Sequence, residues 1–289
     1  MRVSSFHLCI CSTVALGSLS IGCRSETRGG ESEESAPTRS ETQSLAALRA
    51  RYHRLKSPGD VRALRPTSDG AIAEIATAPN GKSRAEVVFD GDRVTIREQS
   101  SRVGVSFALR APAEKPSGPS NLSVEDGFVL ADAGAGSQSL YRVNARGVED
   151  FVVLDQAPES GELVYDVETL GARALRFVDG TLEVLDAYGA PRLRVRRPYV
   201  VDANGIQHEA ALAVDGCSVD RDARAPWGRE LTELDQDQCQ VRVRYDASIA
   251  HPVLVDPEWQ VAAFMNDART HHTATLLPDG TVLVTGGFD

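Results

Sequence analysis

The chain has 289 residues, 42% of them hydrophobic, which is enough to bury the core of one or two domains. Its formal charge of −10 (31 Lys and Arg against 41 Asp and Glu) argues against a nucleic-acid partner and for a soluble, anionic exterior. Only 6% of residues are aromatic while 24 Gly and 14 Pro are present, a composition that suits a loop-rich β protein and not a helical bundle.

The first element is a targeting segment. Arg2 is the only charged residue before Arg24, and the apolar and small residues between them end in Leu19-Ser20-Ile21-Gly22-Cys23. A small residue directly before Cys after an apolar stretch resembles a bacterial lipoprotein signal with its lipobox. The resemblance implies that residues 1–22 are a signal peptide and that Cys23 is acylated as the first residue of the mature chain. It also implies an envelope location: outer membrane, periplasm or cell surface, with the membrane as partner through the lipid. Each buried methylene of such an anchor contributes ~0.8 kcal/mol. An ordinary secretory signal or an uncleaved anchor is the alternative, and in every case the segment takes no part in the fold. Cys9 and Cys11 fall in the signal, leaving Cys217 and Cys239. In an exported chain such an isolated pair reads as one disulfide, with two buried free thiols as the alternative. The bridge would close a loop of about 20 residues, worth roughly 3 kcal/mol. No His or second Cys lies at zinc-ligand spacing from either.

Residues 23–44 hold almost no apolar side chain and read as a disordered tether. Leu45, Leu48, Tyr52 and Leu55 are spaced for a short helix, placed with a linker in 45–70, and His53 reads as a solvated surface residue. From Ala71 the period becomes two. Strands are expected at 71–77, 85–89, 93–98, 103–109, 128–131, 139–143, 148–154 and 162–167, then at 175–184 as a hairpin, and at 193–195, 199–201, 211–214 and 241–245. Asn80-Gly81, Asp90-Gly91, Asp179-Gly180 and Asp202-Ala-Asn204-Gly205 supply turns. Gly134-Ala-Gly136 also reads as a turn. Short strands at this spacing indicate an all-β, antiparallel β-sandwich-like domain over 71–257. Arg192, Arg194, Arg242 and Arg244 are expected on solvated outer faces.

Two further resemblances follow. Residues 175–257 contain L-R-F-V-D-G-T-L-E-V, R-P-Y-V-V-D-A-N-G and H-P-V-L-V-D-P. They resemble the β-rich domain that precedes propeller repeats in large secreted bacterial proteins, which makes Asp256-Pro257 the exit from the domain. Beyond it, R-x-x-H-T-A-T-L-L-P-D-G-x-V-L-V-x-G-G resembles one Kelch repeat, the blade unit of a β-propeller. The resemblance makes 258–289 an incomplete Kelch repeat, a hairpin turning at Asp279-Gly280. It gives Arg269 and His272 roles in blade packing and hydrogen bonding, and Gly286-Gly287 the task of admitting close backbone. A propeller needs about four or more blades to close, so further blades are expected from a longer chain or from another one.

Chemistry is sparse. Adjacent His271 and His272 on a regular strand point to opposite faces and cannot share an ion. Residues 220–237 carry Asp220, Asp222, Glu230, Glu233, Asp235 and Asp237, but lack calcium-loop spacing and are interleaved with Arg221, Arg224 and Arg229, so a solvated loop is expected. No nucleophile elbow, zincin helix or phosphate loop occurs. Asn121-Leu-Ser123 matches a glycosylation sequon without weight in a bacterial lipoprotein. The reading is therefore a non-catalytic envelope lipoprotein, a binding or interaction scaffold with a truncated Kelch propeller whose missing face would take a protein or glycan ligand, with no catalytic residue, metal or cofactor assigned. The alternatives are a fragment of a galactose-oxidase-like copper enzyme, whose Tyr, His and Cys ligands cannot be assigned here, and a structural envelope protein acting through the sandwich domain alone.

Overall fold

The structure, a computed structural model, describes residues 44–56, 64–68, 70–77, 83–110, 122–132, 136–262, 269–276 and 282–288. The protein is all-β, with antiparallel sheets and one short α-helix. The signal segment, Cys23, the tether up to residue 43, Asp279, Gly280, the Asn80-Gly81 turn, Gly134, Ala135 and Asn121 lie outside the described residues, while Ser44 belongs to the helix as its cap.

Alternation in the sequence becomes the faces of an eight-stranded sheet. In spatial order its strands are Arg65–Pro66, Gly70–Thr77, Ser83–Asp90, Arg93–Glu98, Gly104–Leu109, Glu162–Leu170, Gln238–Arg244 and Ala211–Asp215. Ala85, Val87 and Phe89 are buried on one face, as are Val94 and Ile96, then Leu163, Tyr165 and Val167, then Val241 and Val243. The residues between them point to the other side, as the period of two requires. Gly91 and Asp92 form the turn between Ser83–Asp90 and Arg93–Glu98, one residue past the expected Asp90-Gly91, and Gly91 takes φ +59° there.

An eleven-stranded sheet faces this one. Its main path runs Ala174–Val178, Thr181–Leu185, Pro191–Val195, Glu258–Val261, Gly147–Leu154, Val253–Asp256, Tyr199–Val201 and Gln207–Glu209; Ser137–Val143, Phe128–Asp132 and Ser123–Glu125 extend from Gly147–Leu154. Buried residues of both sheets form one continuous core. At its centre Phe107 of one sheet stacks on Trp259 of the other, with ring centroids 4.0 Å apart, and Tyr165 meets Trp259 edge-on at 6.1 Å.

Gly147–Leu154 and Ser137–Val143 are buried at every position because both of their faces are covered. Val148, Val152 and Leu154 face the other sheet. Phe151 and Val153 face Leu45, Leu48, Tyr52 and Leu55, which Leu45–Arg51 and the 3-10 turn His53–Leu55 lay across the sheet. The helix is thus part of the core, while His53 is exposed. Ser44 caps it by accepting from the Ala47 amide at 3.2 Å. Replacing Ser44 by Ala is expected to cost about 1 kcal/mol in urea unfolding, with no change in the sheets' circular dichroism.

The expected exit at Asp256-Pro257 is corrected. Val253–Asp256 pairs with Val152 to Leu154, and Glu258–Val261 pairs with Gly147 to Glu149 on the same edge. Pro257 occupies the step between them, where its missing N–H leaves no gap in the ladder, and its carbonyl accepts from the Asp150 amide. Glu258–Val261 therefore belongs to the large sheet and not to the Kelch-like segment, with Trp259 in the central core. Gly147 is required at this crossing: a Cβ there would lie 1.9 Å from the Trp259 carbonyl oxygen. The linker assigned to 45–70 also contributes Arg65–Pro66 to the eight-stranded sheet.

Candidate functional site

The outer face of the eight-stranded sheet carries a groove of about 650 Å³ lined by Arg93, Arg110, Asp166, Glu168, Gln236, Gln238 and Gln240 among others. The residues arise from register. Asp166 lies opposite both Ala108 and Gln240, and Glu168 opposite both Ser106 and Gln238. Cys239 turns inward between the two glutamines and forms the disulfide with Cys217, closing a separation of 22 residues. Arg110 pairs with Asp166 through two hydrogen bonds, and Arg93 reaches the Ser106 hydroxyl at 3.4 Å. Arg242 donates to Gln240 Oε1 at 3.1 Å. The groove offers amides, carboxylates and guanidinium groups to a polar ligand. The signal in the sequence is Gln236-Asp-Gln238-Cys-Gln240, amides at a period of two.

The Arg side chains expected on solvated faces do point outward, but they form ion-pair rows. Glu162 accepts from Arg242 and Arg244; Glu183 accepts from Arg176 at 2.7 Å and Arg194 at 3.0 Å; Asp186 accepts from Arg192.

The loop closed by the disulfide is also corrected: it is folded around a buried carboxylate. Asp220 accepts from Arg229 at 2.7 and 3.0 Å and from the amides of Asp222 and Thr232. The Arg229 guanidinium holds the Asp220 carboxyl at about 2, and Arg224 holds Asp222 well below the usual carboxylate range. With its lone pairs taken, this cluster is a structural clamp. Changing Cys239 to Ser is expected to lower stability by about 2–4 kcal/mol, measured as the urea midpoint at constant m, through the lost loop constraint.

A second polar group sits between the sheets. Asp150 is fully buried on the face shared with Val148 and Val152, directly opposite Tyr141. The Tyr165 hydroxyl faces its carboxyl, yet neither Asp150 oxygen closes a regular hydrogen bond, and Trp259 Nε1 has no partner either. Burial pushes the Asp150 carboxyl up to about 8. On the helix-facing side Asp256 accepts from the Tyr199 hydroxyl, and burial raises its carboxyl to about 7. Nearby, Glu149 accepts from Arg142 at 2.6 Å. Nothing in the sequence marked these groups, since each sits within an apolar strand.

The Kelch-like residues that are described come together in a hairpin, Thr270–Leu276 with Val282–Phe288. Arg269 donates to the Gly286 carbonyl at 3.3 Å, and His272 Nδ1 lies 3.2 Å from the Arg269 carbonyl. Gly286 and Gly287 take φ +71° and +84°. A Cβ on Gly287 would lie 2.4 Å from the Thr270 carbonyl oxygen, whereas one on Gly286 would meet open space, so close backbone explains glycine at 287 and only the positive φ explains it at 286. His271 departs from the regular strand assumed for it: its φ is +56°, and its ring stacks on Phe288. The two histidines are thus held by separate contacts.

Among the described residues no group of three His, Cys, Asp or Glu side chains is arranged to hold a metal ion. No family model matches the chain, and no curated protein or solved structure is significantly similar to it.

Proposed function

We propose that the chain is a non-catalytic, lipid-anchored module of the bacterial cell envelope that binds a polar protein or glycan ligand. The observation that supports it best is the groove on the outer face of the eight-stranded sheet. It is broad and open, Gln236 and Gln238 are exposed within it, and its guanidinium groups are fixed by Asp166 and Ser106. Arg110 and Arg93, already paired with Asp166 and Ser106, lose less side-chain freedom when a ligand docks than unpaired arginines would.

In this reading Cys23 carries the acyl anchor and residues 23–44 give reach from the membrane. The two sheets form a sandwich-like body, and the hairpin Thr270–Leu276/Val282–Phe288 is a Kelch blade element. Among the described residues the hairpin pairs with neither large sheet, and its open edges offer backbone donors and acceptors to further blade strands.

The test is photo-crosslinking in intact envelopes. A diazirine amino acid at Gln238 is expected to give a discrete adduct, and the same group at Glu74, on the same sheet away from the groove, none. Equal labelling from both positions, or no adduct from Gln238, would remove the groove as the binding surface.

A further inference from the structure

We infer that Tyr188 and Trp227 form a carbohydrate-binding platform, separate from the groove, that takes a pyranose-based oligosaccharide. Tyr188 is 86% exposed and Trp227 62% exposed. Large rings held in water are the side chains that gain most from being covered.

Both rings stand on fixed backbone. Asp186 Oδ1 accepts from the amides of Tyr188 at 2.8 Å and Ala190 at 2.9 Å, while its other oxygen accepts from Arg192 at 2.7 Å. Arg173 donates to the Ala187 carbonyl at 3.1 Å. On the other loop Arg229 donates to the Ala225 carbonyl at 3.0 Å while clamping Asp220. The loops meet beside the rings: a Cβ on Gly189 would lie 3.3 Å from the Pro226 carbonyl oxygen and 3.3 Å from Leu231. Leu231 is buried with Ala174 and Leu185. The surface is built before any ligand arrives, which lowers the entropic cost of binding.

The surroundings select the ligand. The other exposed large hydrophobic residues among those described, Val124, Ile206, Leu283 and Phe288, belong to other segments. The two rings therefore stand apart from other exposed apolar side chains, on turns that also carry ion-paired side chains: Arg173, which binds the Ala187 carbonyl and Glu233, and Arg224, which binds Asp222. A protein interface places its aromatic anchors within a continuous desolvated core. A pyranose matches the isolated arrangement better. Its C–H face carries weak positive charge and suits the negative face of an aromatic ring. Its rim of hydroxyls can then reach carboxylates and guanidinium groups.

The chain has two Trp residues, and the other, Trp259, is 2% exposed, so fluorescence changes on binding report on Trp227. The full chain would be run in native gels containing hydroxyethylcellulose, xylan, galactomannan or dextran, and titrated with the polymer that retards it. Retardation by at least one polymer is expected, with protection of Trp227 from acrylamide quenching. Tyr188→Ala and Trp227→Ala are each expected to weaken retardation by about 10-fold or more. Their melting temperatures should stay unchanged, since neither ring packs in a core. The inference is overturned if no polymer retards the chain, or if retardation survives both substitutions. It is also overturned if Trp227 is protected only by phospholipid vesicles, which would make the pair a membrane contact. Because neither Tyr188 nor Trp227 lines the groove, loss of crosslinking at Gln238 would leave this result standing.

Discussion

Replacing Arg229 by Ala is expected to give one of the largest losses of stability available from a single side chain outside the central core. Asp220 is 2% exposed, and both of its oxygens accept from the Arg229 guanidinium. Without Arg229 a carboxylate stays buried with only the Asp222 and Thr232 amides to stabilise it. The loop also loses the bonds from Arg229 to the Ala225 and Glu230 carbonyls. Urea unfolding at pH 7 measures the loss. The double variant Asp220→Asn/Arg229→Ala should recover part of it, because no unpaired charge remains. The pH dependence follows from the lowered carboxyl of Asp220, near 2 in the folded protein. Its contribution is present above the unfolded value of about 4 and is lost as pH falls through about 2. The difference between wild type and Arg229→Ala should therefore narrow below pH 4. No measurable loss at pH 7 would mean that the clamp is solvated in solution.

The second large effect has the opposite sign in pH. Burial raises the Asp150 carboxyl to about 8, so the folded chain keeps a proton that the unfolded chain has lost by pH 5. For a raised carboxyl, the stabilising contribution is complete below the unfolded value near 4 and disappears as pH rises through about 8. The slope is about 1.4 kcal/mol per pH unit between these limits. Asp256, raised to about 7, adds to it. The protein should consequently be more stable at pH 5 than at pH 8. Asp150→Asn keeps the neutral shape and removes one of the two titrations. It should gain about 2–4 kcal/mol at pH 8 relative to wild type and little at pH 4. Thermal unfolding from pH 4 to 9 measures both. A flat difference across that range would show that Asp150 is hydrated and ionised in the fold.

The sequence was most legible where one face of a strand meets solvent. Val87 and Phe89, Val94 and Ile96, and Leu163 and Tyr165 alternate cleanly, and their strands were expected within a few residues of where they occur. Gly91 and Gly180 marked hairpin turns, each with positive φ. The pairing of Cys217 with Cys239 was equally readable, because the other three Cys all fall within the first 23 residues. Legibility ended where both faces are covered. The helix-facing side of Gly147–Leu154 depends on Leu48 and Tyr52, about a hundred residues away, and no local period reports that contact. Glu258–Val261 was hidden because Pro257 reads as a terminator, while here it only shifts the chain along the same neighbour. The acidic loop looked solvated because composition does not reveal that Arg229 folds back on Asp220. The groove is a product of register, with Glu168 placed between Ser106 and Gln238 by two non-local pairings. The aromatic turns were missed for a similar reason: Tyr188 and Trp227 are far apart in sequence, and the fold alone brings Gly189 against Pro226 and Leu231.

The proposed envelope role rests on Cys23. The most direct measurement is alkyne-palmitate labelling of the full chain in bacterial cells, followed by membrane fractionation, with Cys23→Ala beside wild type. The account predicts a labelled wild-type chain in the envelope membranes and an unlabelled Cys23→Ala chain that does not mature to the lipidated form. An unlabelled wild type, or a Cys23→Ala chain with the same label and membrane fraction, would contradict the lipid-anchored module proposed above.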